Sequence, residues 1–144
     1  MKRALLIAAA ALAFLAISVG VARWLSTDST ERGAVVDLLR AQARGDAHAM
    51  LRSLRCPDAR CAALARANAA RLRTPGEVKI VRYDSHTAHA LTTKTDPTRV
   101  VWAAPGRLPT VQCVLVRRRG GPISGVSVTL LRLSAPIGRQ SSCR

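Results

Sequence analysis

At Thr74-Pro75-Gly76 the chain changes character, and that break constrains the fold more than any other feature. Upstream, apolar residues recur at three- and four-residue intervals. Downstream, the composition turns to Val, Ile, Thr and Tyr with turn signals at regular spacing. Helices first and a sheet afterwards predict an α+β domain in which the helices pack on one sheet face.

Asp28 followed by Glu31 has the spacing of a capping box, which predicts a short polar linker over residues 26–30 and a helix starting there. Val35, Leu38 and Leu39 mark that helix's inner face. Gly45 is placed to close it in a left-handed conformation, and Asp46 to cap the next. Ala47, Met50, Leu51 and Leu54 form the stripe of a short second helix, which Cys56-Pro57 stops before Asp58 caps a third. Cys61, Leu64, Ala65, Asn68 and Leu72 share the third helix's inner face. Beyond the break, strands are predicted at residues 77–84, 87–93, 98–104, 110–119 and 124–134. The turns fall at 84–86, 94–97, 105–106 and 120–122, and their shortness implies antiparallel neighbours.

The N-terminus opens with Met1-Lys2-Arg3, after which residues 4–22 carry no charge and would reach about 28 Å as a helix. Residues 1–25 therefore read as a membrane anchor or signal segment, 26–134 as the folded domain and 135–144 as a tail. Arg23-Trp24 as an interfacial pair favours a retained transmembrane helix, with the membrane as its partner and the domain outside. Cleavage after Gly20-Val21-Ala22, giving a secreted protein, is the alternative.

The charge balance is strongly basic, 23 Lys plus Arg against 8 Asp plus Glu and a net +15. Only Lys2, Lys79 and Lys94 are lysines, and the arginines spread along the whole chain beside abundant Ala and Leu. That pattern fits a compositional bias better than a nucleic-acid interface, which gathers cations on one face with aromatic stacking partners; aromatics here are 3%. The one dense run, Arg117-Arg118-Arg119, sits where a hairpin tip is predicted and is the candidate polyanion site.

Four cysteines behind an export-type segment point to an oxidising compartment. They allow three pairings. Cys56 with Cys61 and Cys113 with Cys143 are favoured, because the second bond would fasten the tail to a strand, closing a loop of about 30 residues worth roughly 3 kcal/mol. The Cys56/Cys61 spacing and the absence of an adjoining His argue against zinc, and no cofactor or metal is expected.

Residues 35–54, VVDLLRAQARGDAHAMLRSL, resemble the opening of the ketosteroid-isomerase-like, or nuclear-transport-factor-like, superfamily, where a Gly-Asp pair divides a long first helix from a short second. The chain is most similar to small membrane-anchored actinobacterial, lumazine-binding-like members. The resemblance implies a cone of three helices on a curved antiparallel sheet. Cys56-Pro57-Asp58 departs from it, leaving no room for the short strand usual between the second and third helices.

The resemblance also implies a cavity that in some members holds Asp, His or Tyr for isomerase, dehydratase or cyclase chemistry. Here Asp84, His86 and Tyr83 are the best acid-base constellation, since residues two apart on a strand share a face and a carboxylate can orient an imidazole. His86 and His89 are three apart and fall on opposite faces, and His48 lies on a helix. The favoured expectation is a non-catalytic extracytoplasmic accessory module that binds a protein partner or a small apolar ligand. The alternative is a small-molecule isomerase, dehydratase or cyclase using Asp84 and His86.

Overall fold

The computed structural model describes residues 2–85, 93–121 and 125–143, without the side chains of 2–5, 23–27, 121, 125 and 126. Among them are three helices, α1 (Lys2–Arg44), α2 (Ala47–Ser53) and α3 (Ala59–Arg71), followed by four strands, β1 (Lys79–Asp84), β2 (Lys94–Ala103), β3 (Thr110–Gly121) and β4 (Gly125–Leu133). The strands form one antiparallel sheet in the order β1-β2-β3-β4.

α1 corrects two expectations. It runs unbroken through residues 26–30, so the polar linker is absent and Asp28 and Glu31 lie inside a helix instead of capping one. A transmembrane helix was expected at residues 4–22, but among the described residues no helix is long and apolar enough to cross a membrane. The larger side chains of residues 6–22, among them Leu6, Phe14 and Ile17, are 51–71% exposed.

From Glu31 onward α1 lies across the inner face of the sheet. Glu31, Val35, Leu38, Leu39 and Gln42 repeat at helical spacing and are completely buried. They meet Thr98, Val100 and Trp102 of β2, Gln112, Val114, Val116 and Arg118 of β3, and Leu130 and Leu133 of β4. Alternation along β2 and β3 sends those residues inward and their neighbours outward. Gly45 adopts φ +74° and turns the chain into α2, where Asp46 accepts a hydrogen bond from the Ala49 amide at 2.9 Å. Asp58 caps α3 in the same way, accepting from the Cys61 amide at 2.7 Å. The end of α2 docks on the outer edge of β4, through a parallel bridge from Leu54 to Leu130 and a 2.7 Å bond from the Arg55 amide to the Leu130 carbonyl.

The sheet has four strands among the described residues, not five. The strand expected at 87–93 lies outside them except for Thr93, which is not in a strand. The turn expected at 94–97 is instead the start of β2, and Pro97 is accommodated because that part of β2 pairs only with β3. Its missing N–H therefore faces a side with no described partner strand. The register shifts at Val81 in β1 and at Leu131 in β4, and the Val81 bulge leaves that side chain 62% exposed.

The tail takes the place beside β3 that β4 leaves empty. The Ser134 amide donates to the Cys113 carbonyl and the Ile137 amide to the Val111 carbonyl, each at 2.8 Å. Arg99 reaches the carbonyls of Arg139 and Ser141, and the Cys113–Cys143 disulfide closes the tail onto β3. Cys56 is bonded to Cys61, and no cysteine is free.

Candidate functional site

A charged cluster is buried where α1 first meets the sheet. Glu31 lies one turn before Val35 on α1's apolar stripe, which carries its carboxylate under the sheet. Arg118 continues the inward alternation of Val114 and Val116 on β3 and is only 3% exposed. Glu31 Oε2 accepts from Arg118 Nε at 2.6 Å, and Oε1 accepts from Arg118 Nη2 at 2.7 Å, Tyr83 Oη at 2.7 Å and Thr98 Oγ1 at 3.0 Å. The guanidinium thus grips the carboxylate with two parallel bonds, the strong geometry for such a pair. Arg118 Nη1 faces Asp96 Oδ2 at 3.5 Å, and neither of these buried atoms has a hydrogen-bond partner among the described residues.

Burial alone would lower the Arg118 pKa, but hydrogen bonding and attraction to Glu31 outweigh it and raise the pKa above the usual guanidinium value. The Tyr83 phenol is pushed far above its ordinary range, first by burial and then by its bond to Glu31. Tyr83 therefore stays protonated and acts as a donor. Glu31 has no exposed surface, so a substrate has no approach to its oxygens. The cluster is built to hold α1, β1, β2 and β3 together.

Of the candidate acid-base residues, Tyr83 and Asp84 are described and His86 is not. Tyr83 points inward to Glu31, while Asp84, the next residue along the strand, accepts both bonds from Arg82 Nε at 2.9 Å and one from Arg99 Nη1 at 3.3 Å. The Arg82 hydrogen bond, more than any other influence, holds the Asp84 carboxyl below the usual carboxylate range. His86 and His89 lie outside the described residues, and His48 is exposed on α2. The Arg117-Arg118-Arg119 run is divided by strand alternation: Arg117 and Arg119 face solvent, and Arg118 is withdrawn into the core. It is part of β3 and not a hairpin tip.

Both partners of the buried pair carried a signal that the capping-box and charge-run readings obscured. Glu31 is in phase with Val35, Leu38 and Leu39, and Arg118 is in phase with Val114 and Val116. Farther along the same face lies a second polar cluster, this one uncharged. Gln42 and Gln112 exchange hydrogen bonds at 2.9 and 3.2 Å, and Trp102 Nε1 donates to Gln112 Oε1 at 2.8 Å. Gln112 Nε2 and Asn68 Nδ2 both donate to the Ser134 carbonyl at 2.9 Å.

No protein-family model, no curated protein and no solved structure matches the chain.

Proposed function

We propose that the protein is a non-catalytic interaction module that works outside the cytoplasm. The observation that carries this reading is the state of the acidic side chains in and around the fold. Glu31 is saturated and inaccessible between Arg118, Tyr83 and Thr98, and Asp84 is held by two arginines. The inner face of the sheet is filled by Leu38, Leu39, Trp102 and the valines around them, which supports a partner at the outer surface over a small apolar ligand inside. The two disulfides support an oxidising compartment, with the basic leader and the apolar residues behind it serving as the export signal. The order of three helices before an antiparallel sheet is the one that the ketosteroid-isomerase-like resemblance implies, and the module is proposed as a member of that superfamily.

The test sets this reading against the enzymatic one. Photo-crosslinking from exposed positions in cells should trap a discrete partner, and the Asp84→Asn/His86→Ala variant should trap it equally well. Deuterium exchange into a panel of enolisable ketones that depends on Asp84 and His86 would overturn the proposal and establish the isomerase-type alternative.

A further inference from the structure

The end of the domain remote from Glu31 carries an open, basic cleft. It has a volume of about 730 Å³ and is lined by Ala43 and Arg44 from the last turn of α1 and by Arg73, Thr74, Pro75 and Gly76 from the segment joining α3 to β1. A second opening of about 220 Å³, lined by Arg40, Ala43, Arg44, Gly76, Glu77 and Val78, shares Ala43, Arg44 and Gly76 with it, so the two form one trough. The trough's wall is fixed by its backbone. The Thr74 amide donates to the Ala43 carbonyl at 2.9 Å, and Gly76, at φ +90°, sits so close to Pro105 that an added Cβ would fall 3.0 Å from the ring.

Within this trough Glu77 balances Arg40, but no acidic side chain among the described residues balances Arg44 or Arg73. Of the eight acidic side chains, Asp37 and Glu77 pair with Arg40, Asp84 with Arg82 and Arg99, Glu31 and Asp96 with Arg118, and Asp58 with Arg132. Asp46 caps α2, and Asp28 stands sixteen residues before Arg44 on the same helix, about 24 Å away. Arg44 and Arg73 thus have no acidic partner among the described residues, although both border the same cleft.

We infer that this trough binds an acidic segment of a partner protein, with Arg44 and Arg73 receiving its carboxylates. The inference rests on the interaction-module reading and gives that module its ligand chemistry. Two guanidiniums provide forked donors for carboxylates, and Ala43, Pro75 and Val78 provide apolar wall for the residues between them. Both openings face solvent and adjoin at Ala43, Arg44 and Gly76, which suits an extended chain lying across the surface rather than a compact molecule enclosed in it.

The experiment is fluorescence-anisotropy titration of the full, disulfide-intact chain with a labelled, end-blocked peptide of alternating glutamate and leucine. Its glutamine counterpart, succinate and inorganic phosphate are the competing probes. The acidic peptide should bind with salt-sensitive affinity, and Arg44→Gln/Arg73→Gln should weaken it about tenfold. Arg44→Lys/Arg73→Lys, which keeps charge but loses the fork, should weaken it about threefold. Arg117→Gln/Arg119→Gln removes the same charge elsewhere and should leave affinity unchanged. Amide shifts on titration should centre on residues 43–44 and 73–78, and an unchanged amide spectrum of each free variant verifies its fold. Equal weakening by both glutamine pairs would mean bulk attraction to a basic protein and would overturn the inference, as would equal binding of the glutamine peptide. Binding of succinate or phosphate without the peptide would overturn the protein source. Peptide shifts that centre on Arg117 and Arg119 would move the site while leaving the interaction module intact, whereas Asp84-dependent ketone exchange would remove the module itself.

Discussion

The two polar clusters under the sheet do the same structural job with opposite chemistry. Both join α1 to β3, through Glu31 and Arg118 at one end and through Gln42 and Gln112 at the other. The amide cluster is neutral: each glutamine serves the other as donor and acceptor, and Trp102 and Ser134 take up the remaining capacity of Gln112. The charged cluster has stronger individual bonds but leaves Arg118 Nη1 and Asp96 Oδ2 without hydrogen-bond partners among the described residues. Removing charges from water costs several kcal/mol per ion, so a buried pair gives little net stability even when its loss is severe. The neutral cluster fastens, whereas the charged one chiefly specifies which residue of α1 lies over which residue of β3.

The largest effect should therefore come from breaking the pair on one side. Glu31→Gln leaves Arg118 charged and buried without its partner and should cost about 3–5 kcal/mol in urea denaturation. Replacing both ends, as Glu31→Leu/Arg118→Met, should recover most of that loss. A double variant as unstable as the single one would show that the pair contributes more than placement, and the contrast between the clusters would collapse.

Next in size is the tail. Ser134 links the neutral cluster to the segment that Cys143 staples, because its carbonyl accepts from both Gln112 and Asn68. Cys143→Ser should lower stability by roughly 2–4 kcal/mol, make Cys113 available to alkylation and leave the helical circular dichroism intact. An unreactive Cys113 in that variant would refute the stapled tail. Gln112→Leu should cost less, about 1–3 kcal/mol, since it strands Trp102 Nε1 and one amide of Gln42 but no charge. If Gln112→Leu proves worse than Glu31→Gln, charge is not what distinguishes the two ends.

Much of this arrangement was legible in the sequence wherever one physical signal acted alone. The caps at Asp46 and Asp58, the turn at Gly45, the stripe from Val35 to Leu39 and the alternation around Val114 all appear as expected, because capping, backbone freedom and periodicity each have a local signature. Both disulfides join the favoured partners. The readings failed where two signals competed. Glu31 has capping-box spacing from Asp28 and also helical phase with Val35, and the phase prevailed because α1 continues through both. Arg118 belongs to a charge run and to a strand's inward face, and a distant carboxylate makes the inward position tolerable. The Glu31–Arg118 contact spans 87 positions, and no local pattern encodes that one buried charge will find the other.

Tyr83 gives the smallest effect and the sharpest probe of the charged end. It is the only tyrosine in the chain, so phenolate absorbance in the near ultraviolet reports it alone. Tyr83→Phe removes one donor to Glu31 and should cost about 1.5 kcal/mol, the low end for a hydrogen bond to a charged group, because Arg118 and Thr98 still satisfy the carboxylate. The same bond, together with burial, raises the phenol's pKa in the folded protein above its unfolded value. The stability gained from that shift is fully present below the unfolded pKa of about 10 and is lost as pH climbs through higher values. Alkaline titration should accordingly show no phenolate near pH 10 in the folded chain, with absorbance rising only as the protein unfolds. Glu31→Gln should remove the carboxylate charge's share of the shift and leave the share due to burial, bringing the titration to a lower pH. An ordinary tyrosine titration in the unaltered, folded chain would mean that Tyr83 is solvated and that the charged cluster is open to water at that edge.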